Sequence, residues 1–253
     1  VVAVGIEKMP RGVMDMDYFA PWRRASGHAV NPAQFALAAQ RHMYEYGTTE
    51  EQLALVAVKN HRHSVHNERA MYRREMTLEE VLASRRVVDP LRLLMLCAPN
   101  EGAAAAVLQR RPARKGEVIL AGQGMRTAAG DQAIGEHMPT SSPSRVEHAS
   151  VSRRAALAAY ASAAIGPEDL DVVELQDTDC GAEIISTEEL GLCKTGEGGA
   201  LVQSGATTIG GRLPVNPSGG LLSKGEPVGA SALGQVFEIV QQLRGRCGPR
   251  QVD

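Results

Sequence analysis

Short apolar runs alternate with capped helical stretches along this chain of 253 residues, and that alternation restricts its fold more than any other feature. The opening VVAVGI (1–6) is β-branched and too short for a helix, so it reads as a buried strand. Asn31 can cap a helix over 32–46, with Pro32 in its first turn and Gly47 beyond its end. Thr49 with Gln52, and Thr77 with Glu80, form capping-box patterns ahead of LALVAV and VLASRRVV; Asp89-Pro90 closes the second of these helices. Further on come the small-residue run EGAAAAVL (101–108) and a strand within EVILAGQGMRT (117–127). An Ala-rich helix (151–164) follows, stopped by Gly166-Pro167, then a strand DLDVVEL (169–175) and a helix around 181–191. A strand-turn-helix unit fills 212–244, with Leu233, Val236, Val240 and Leu243 on one apolar stripe. Residues 10–30 and 128–146 read as loop. The pattern predicts a layered α/β domain carrying a mainly helical insertion over 10–90.

Composition narrows the choice. Hydrophobic residues make up 43% of the chain, enough for a substantial core, while aromatics are only 4%. Small residues packing helices closely on a sheet suit that balance better than a barrel does. A net charge of -2 marks no nucleic-acid or anionic-membrane partner. No apolar run approaches the ~20 residues that span a bilayer, and VVAVGIEKMPRG lacks the charged lead of a signal peptide. Cys97, Cys180, Cys193 and Cys247 are scattered without C-x-x-C spacing, which points to a reducing, cytoplasmic setting.

The stretch NPSGGLLSKGEPVGAS (216–231) is a glycine turn feeding a helix, with Glu226 between Gly225 and Pro227. Two readings are open: the first turn of an exposed helix, or a carboxylate at a site. Gly219, Gly220 and Gly225 permit tight turns there, and Asn216 and Ser218 can either bond a ligand or cap the turn. Asp177 and Asp179 bracket a strand end, where α/β domains bind ligands, and Asp177 is the site candidate of the two. His61, His63 and His66 fit no zinc spacing, so no metal is expected.

The string VNPSGGLLSKGEPVGASALGQVFEIVQQLRG resembles the C-terminal signature of thiolases, especially the sterol-carrier-protein or lipid-transfer type. KNHRHSVHN, LEEVLASRRVVDPLRLL, CAPNEGAAAAVL and EELGLCKTGEGGALV resemble the same family in the same order, across essentially the whole chain. The resemblance implies a layered αβαβα fold truncated at both ends. It assigns 1–9 and 91–110 to the N-terminal half, 10–90 to a loop domain over the pocket, and 111–253 to the C-terminal half. It also implies that the family's nucleophilic cysteine lies upstream and its basic cysteine downstream. None of the four cysteines matches either position, so all four read as packing residues.

Lipid-transfer-type thiolases carry a His-Asp-Cys-Phe motif where this chain has Gln176-Asp177-Thr178-Asp179, and Gly-His-Pro where it has Gly225-Glu226-Pro227. The resemblance places both lost histidines at the hole that holds the thioester oxygen. Gln176 can still donate an N–H there; an ionised Glu226 cannot, and reads as a base instead. The substrate implied is an acyl-CoA or other lipid or sterol thioester, with no further cofactor. A homodimer is the implied assembly, with a small accessory protein as a further partner. Three functions stay open. One is a thiolase-like acyltransferase. A second is a retro-aldol lyase on a β-hydroxyacyl-CoA with Glu226 as base and Gln176 at the enolate hole. The third is a non-catalytic acyl-CoA-binding subunit or a fragment of a longer enzyme.

Overall fold

The computed structural model describes residues 1–9, 21–27, 30–127 and 150–252. The loop expected over 128–146 lies outside them, as does most of the loop expected over 10–30; Pro21–Ala25 forms a short helix, α1. Helix α2 spans Asn31–Tyr46. Its cap is the extended Val30, with Asn31 already inside the first turn, and Gly47 at φ 75° closes it in the left-handed region that glycine enters without strain. Helix α3 (Glu50–Ser64) starts on the expected box: Gln52 N donates to Thr49 Oγ1 at 3.1 Å and Thr49 N donates to Gln52 Oε1 at 3.1 Å. Helix α4 (Leu78–Ala83) starts on the matching Thr77–Glu80 pair.

That helix ends six residues before the expected Asp89. The Ser84 hydroxyl donates back to Val81 O at 2.7 Å, and β2 (Arg86–Val88) turns at once into β3 (Leu91–Arg92) as an antiparallel pair. Two adjacent β-branched valines favour strand over helix there.

The helical segment does not stand apart from the rest. Helices α2 and α3 pack on α6 (Cys180–Glu189), and α3 also meets α7 (Gly198–Gln203) and α8 (Gly220–Lys224). Phe35, Leu53, Val56, Met95, Ile184, Val202 and Leu222 share one core. Small residues set the spacing, since a Cβ on Gly181 would meet Ala39 Cβ at 3.0 Å. Each fully buried side chain of the Leu or Val kind contributes roughly 1.5–3 kcal/mol, so this junction is a main source of stability.

Strand β1 (Val2–Lys8) pairs antiparallel with β4 (Glu101–Val107), Val2 opposite Val107 and Lys8 opposite Glu101. Helix α5 (Val151–Ala163) lies elsewhere, against α6. Helix α9 (Val228–Leu243) crosses one face of the strand pair. The crossing is tight: a Cβ on Gly5 would stand 2.3 Å from Gly229 O. The other face leaves Val2, Val4, Ile6 and Val107 60–74% exposed. The stripe read from the sequence is not the face α9 buries. Val236 and Leu243 are exposed, while Ala230, Ser231, Glu238 and Gln242 are buried. The reason is local. Close approach to β1 demands small residues, and the C-terminal end is held by polar bonds: Glu238 to Arg250, Gln242 Nε2 to Arg250 O at 2.8 Å.

Two expected strands form no ladder among the described residues. The 117–122 segment lies along α5, where Gly122 and Gly124 sit against the Ala155, Ala159 and Ala163 turns. The 169–175 segment makes a single parallel bridge, Val173 to Val215. Asn216 turns to φ 53° directly after, and its Oδ1 takes Leu175 N at 2.9 Å, so a side chain replaces the next rung. Among the described residues, no helix is long and apolar enough to cross a membrane.

Candidate active site

Three backbone segments meet beside this turn. Leu96 bridges Asp179 and Cys97 N donates to Thr178 O at 2.9 Å, which ties 96–97 to the end of the 173–179 segment. On the other side Pro99 bridges Glu226 in parallel, and Glu226 N donates to Ala98 O at 2.9 Å. The 96–100 segment thus lies between the two motifs that carry Gln176 and Glu226. Gly225 lets the third segment come close: at φ 86°, its position would put a Cβ 2.4 Å from Asn100 Nδ2.

The side chains then converge on one carboxylate. Cys97 Sγ donates to Glu226 Oε2 at 3.0 Å and Gln176 Nε2 donates to Glu226 Oε1 at 2.5 Å. Gln176 is exposed, while Glu226 and Cys97 are half-buried. Burial pushes the Glu226 carboxyl above its ordinary value, against the two hydrogen bonds that favour its ionised form. Burial, and then the neighbouring Glu226 charge, push the Cys97 thiol well up. At neutral pH the thiol therefore keeps its proton.

Glu226 does not occupy the mouth of α9. That helix begins at Val228 behind Pro227, and the carboxylate at its first turn is Glu7, whose Oε2 accepts from Gly229 N at 3.2 Å. The dipole at that first turn serves Glu7, and Glu226 is turned toward Cys97 and Gln176.

The structure places the other candidates beneath this cluster. Asp177 is fully buried; it accepts Leu221 N at 2.7 Å, Leu222 N at 3.3 Å and Asn60 Nδ2 at 2.8 Å. Burial and the nearby Glu183 carboxylate push its acid up. Asn216 Nδ2 donates to Glu183 Oε2 at 2.9 Å, and Lys59 stands 2.7 Å from Glu183 Oε1. Ser218 donates to Glu174 through N at 2.9 Å and Oγ at 2.8 Å. Gly219 and Gly220 begin α8 under the same network, and at φ 61° a Cβ on Gly220 would fall 2.0 Å from Asp177 Oδ2. These residues shape the turn that delivers Gly225 and Glu226; they do not meet Glu226 themselves.

Asp179 caps α6, its Oδ1 accepting from Ala182 N at 3.0 Å, and burial raises it to about 6. His63 donates from Nδ1 to Asn216 O at 3.0 Å and accepts Ile209 N at Nε2 at 3.0 Å, a neutral tautomer fixed by its partners. His61 lies 5.9 Å from the Tyr72 ring, centroid to centroid, and His66 is exposed. Cys180 and Cys247 are buried packing residues, as expected. Cys97 is not: it is the site residue that sequence reading missed. Its only sequence signal is its place as the first residue of the CAPNEGAAAAVL string, because the bridge to 226 spans 129 residues.

The thiolase C-terminal domain-like family matches residues 133–253. Rabbit (Oryctolagus cuniculus) sterol carrier protein 2 is 38% identical over all of this chain and 49% of its own length. An acetyl-CoA acetyltransferase of Methanothermobacter thermautotrophicus is 38% identical over all of this chain and 66% of its own. The chain belongs to the thiolase superfamily. Among solved structures, an Ltp2-ChsH2(DUF35) aldolase is similar at TM-score 0.81 and 28% identity, over 99% of this chain and 67% of that one. The thiolase-like layered fold expected from the sequence is therefore the observed one. This thiolase-superfamily chain spans about half the length of the sterol carrier protein 2 relatives it matches.

Within that fold, the cluster offers three distinct capacities. Glu226 accepts protons, Cys97 holds one, and the Gln176 amide has a second N–H besides the one on Glu226.

Proposed function

We propose that this protein cleaves a carbon–carbon bond in a lipid or sterol β-hydroxyacyl-CoA by a retro-aldol step, with Glu226 as base. The observation that carries this reading is the convergence of Cys97 and Gln176 on the Glu226 carboxylate. Glu226 takes the β-hydroxyl proton, the Cα–Cβ bond breaks, and a carbonyl product leaves. The bonding pair passes to the thioester, forming an enolate whose oxygen meets the second N–H of Gln176. A donor at such an oxygen is worth about 3–4 kcal/mol. The step uses the thioester as substrate and no further cofactor. Similarity to an aldolase supports the same class of reaction.

Acyl transfer needs a thiolate nucleophile, and among the described residues of this site Cys97, donating to the Glu226 carboxylate, is not set up to supply one. The role of Asp177 in this scheme is to position the α8 turn. A reducing, cytoplasmic setting fits a site that depends on a free thiol. Assembly with a second chain, another copy or a small accessory protein, is part of the proposal. The exposed apolar face of β1 and β4 supports it, and the aldolase neighbour is itself an Ltp2–ChsH2(DUF35) assembly.

The test incubates the purified protein with a β-hydroxyacyl-CoA and follows the shortened acyl-CoA and the carbonyl product by mass spectrometry. Glu226→Gln is expected to slow cleavage by about 10²–10⁴-fold with affinity for the thioester unchanged. Wild-type rates in that variant would remove Glu226 from the mechanism.

A further inference from the structure

A retro-aldol step leaves an enolate, and something must return a proton to its α-carbon. Glu226 carries the hydroxyl proton at that moment, yet a carboxyl that has just served the β-oxygen is not also aimed at the neighbouring carbon. The hydrogen bond from Cys97 Sγ to Glu226 Oε2, at 3.0 Å, supplies the second group and a path between the two. The geometry points to Cys97 as the acid that protonates the α-carbon, with Glu226 recharging it through that hydrogen bond. This inference rests on the retro-aldol reading and deepens it.

The step balances. The β-hydroxyl O–H breaks onto Glu226 and the Cα–Cβ pair becomes the enolate. The Cys97 S–H proton then forms the new Cα–H bond, leaving a thiolate. That thiolate takes the proton held by Glu226, and both groups return to their starting states. One proton has moved from oxygen to carbon, and no oxidant, reductant or further reactant is consumed.

Three features of the site favour an acid over a nucleophile. The thiol is half-buried and already directed at a carboxylate. Its backbone is pinned on both sides, through Cys97 N to Thr178 O at 2.9 Å and through Ala98 O to Glu226 N at 2.9 Å. Burial and the adjacent negative charge also keep it in the thiol form, which is inert toward a thioester carbonyl yet far more acidic than an acyl-CoA α-carbon. The preceding strand-like bridge of Leu96 to Asp179 fixes the direction from which the thiol enters the site.

The test reads the α-carbon directly and needs no cleavable substrate. By microscopic reversibility, Glu226 accepts the thiol proton and the Cys97 thiolate removes an α-proton from a simple acyl-CoA. Protein is incubated with acetyl-CoA in heavy water, and deuterium entering the acetyl group is followed by mass spectrometry. Cys97→Ala and Cys97→Ser are expected to slow exchange by about 10²–10⁴-fold, with acetyl-CoA affinity unchanged. Serine is the decisive variant: it keeps a hydroxyl donor to Glu226, and so any structural role, but is too weak an acid for the relay. Its urea midpoint is expected to match wild type. Wild-type exchange in Cys97→Ser would overturn the role of Cys97. If Glu226→Gln still lost exchange in that case, the retro-aldol reading would stand alone. Exchange unaffected by either substitution, or none with the wild type, would end both. A Cys97 that gains the mass of an acetyl group would instead be a nucleophile, contrary to the proposal.

Discussion

Asp177 and Glu226 come from adjoining segments of one site region, yet they live under opposite rules. Asp177 is fully buried and all its partners are fixed: two backbone N–H groups of α8 and the Asn60 amide. Glu226 is half-buried, and both its recorded partners are side chains, one of them exposed. A carboxylate bonded to backbone at a turn holds shape, because moving it unmakes the turn. A carboxylate bonded only to a thiol and an amide can exchange protons or partners without the chain moving. Burial raises both acids, so a raised acid alone does not distinguish scaffold from chemistry; the partners do.

That contrast can be broken by substitution. Asp177→Ala strands the Leu221 and Leu222 N–H groups of α8 and takes one of the two acceptors of the Asn60 amide, which keeps Glu183, in a buried network that also holds Lys59. It is expected to cost about 3–5 kcal/mol of unfolding free energy in a urea titration. A loss below about 1 kcal/mol would mean that the scaffold does not depend on it.

The pH dependence sharpens the same point. His63 is clamped neutral by two loop backbones, and burial, with Lys59 adding, lowers it from 6.5 to about 3. His61 is lowered to about 4 by burial and then Arg74. Between pH 6.5 and 4 the unfolded chain binds protons that these folded histidines refuse, so each removes stability as pH falls. Asp179, raised to about 6 from 3.8, acts oppositely, since the folded state binds its proton first. Comparing His63→Gln with wild type isolates one histidine. The variant is less stable at pH 7, and its deficit is expected to close by up to about 1.4 kcal/mol per pH unit on the way to pH 4. A deficit constant with pH would contradict the neutral clamp.

The smallest effect belongs to the site itself. Gln176→Ala, at an exposed position, is expected to change unfolding free energy by less than about 0.5 kcal/mol. A larger loss would move Gln176 to the scaffold side of the comparison.

Much of this was legible in the chain. Local rules carried α2, α3 and α5 and both capping boxes, because Thr49, Thr77 and Gly47 act on neighbours within four residues. They failed where partners are distant. The 169–175 segment looked like a full strand, but the Asn216 side chain substitutes for its next rung. The α9 stripe pointed the wrong way because a Gly5–Gly229 contact and an Arg250–Glu238 pair fix the helix. At the candidate site, the family resemblance pointed to Glu226 and Gln176, whereas Cys97 became visible only when three remote segments met. Glu7 at the mouth of α9 was equally hidden, lying 222 residues from the N–H it accepts.

The most direct measurement is the pH–rate profile of α-proton exchange for wild type and Glu226→Gln. Cys97 and Gln176 bond the carboxylate and the Asp179 charge stands near it, and none of them changes in the variant. Wild type is expected to lose rate as pH falls through an apparent value above 4.5, where Glu226 gains its proton. Glu226→Gln is expected to lack that limb and to run about 10²–10⁴-fold slower throughout. The same limb at the same rate in both proteins would show that another group is the base, and Glu226 would be part of the scaffold with Asp177.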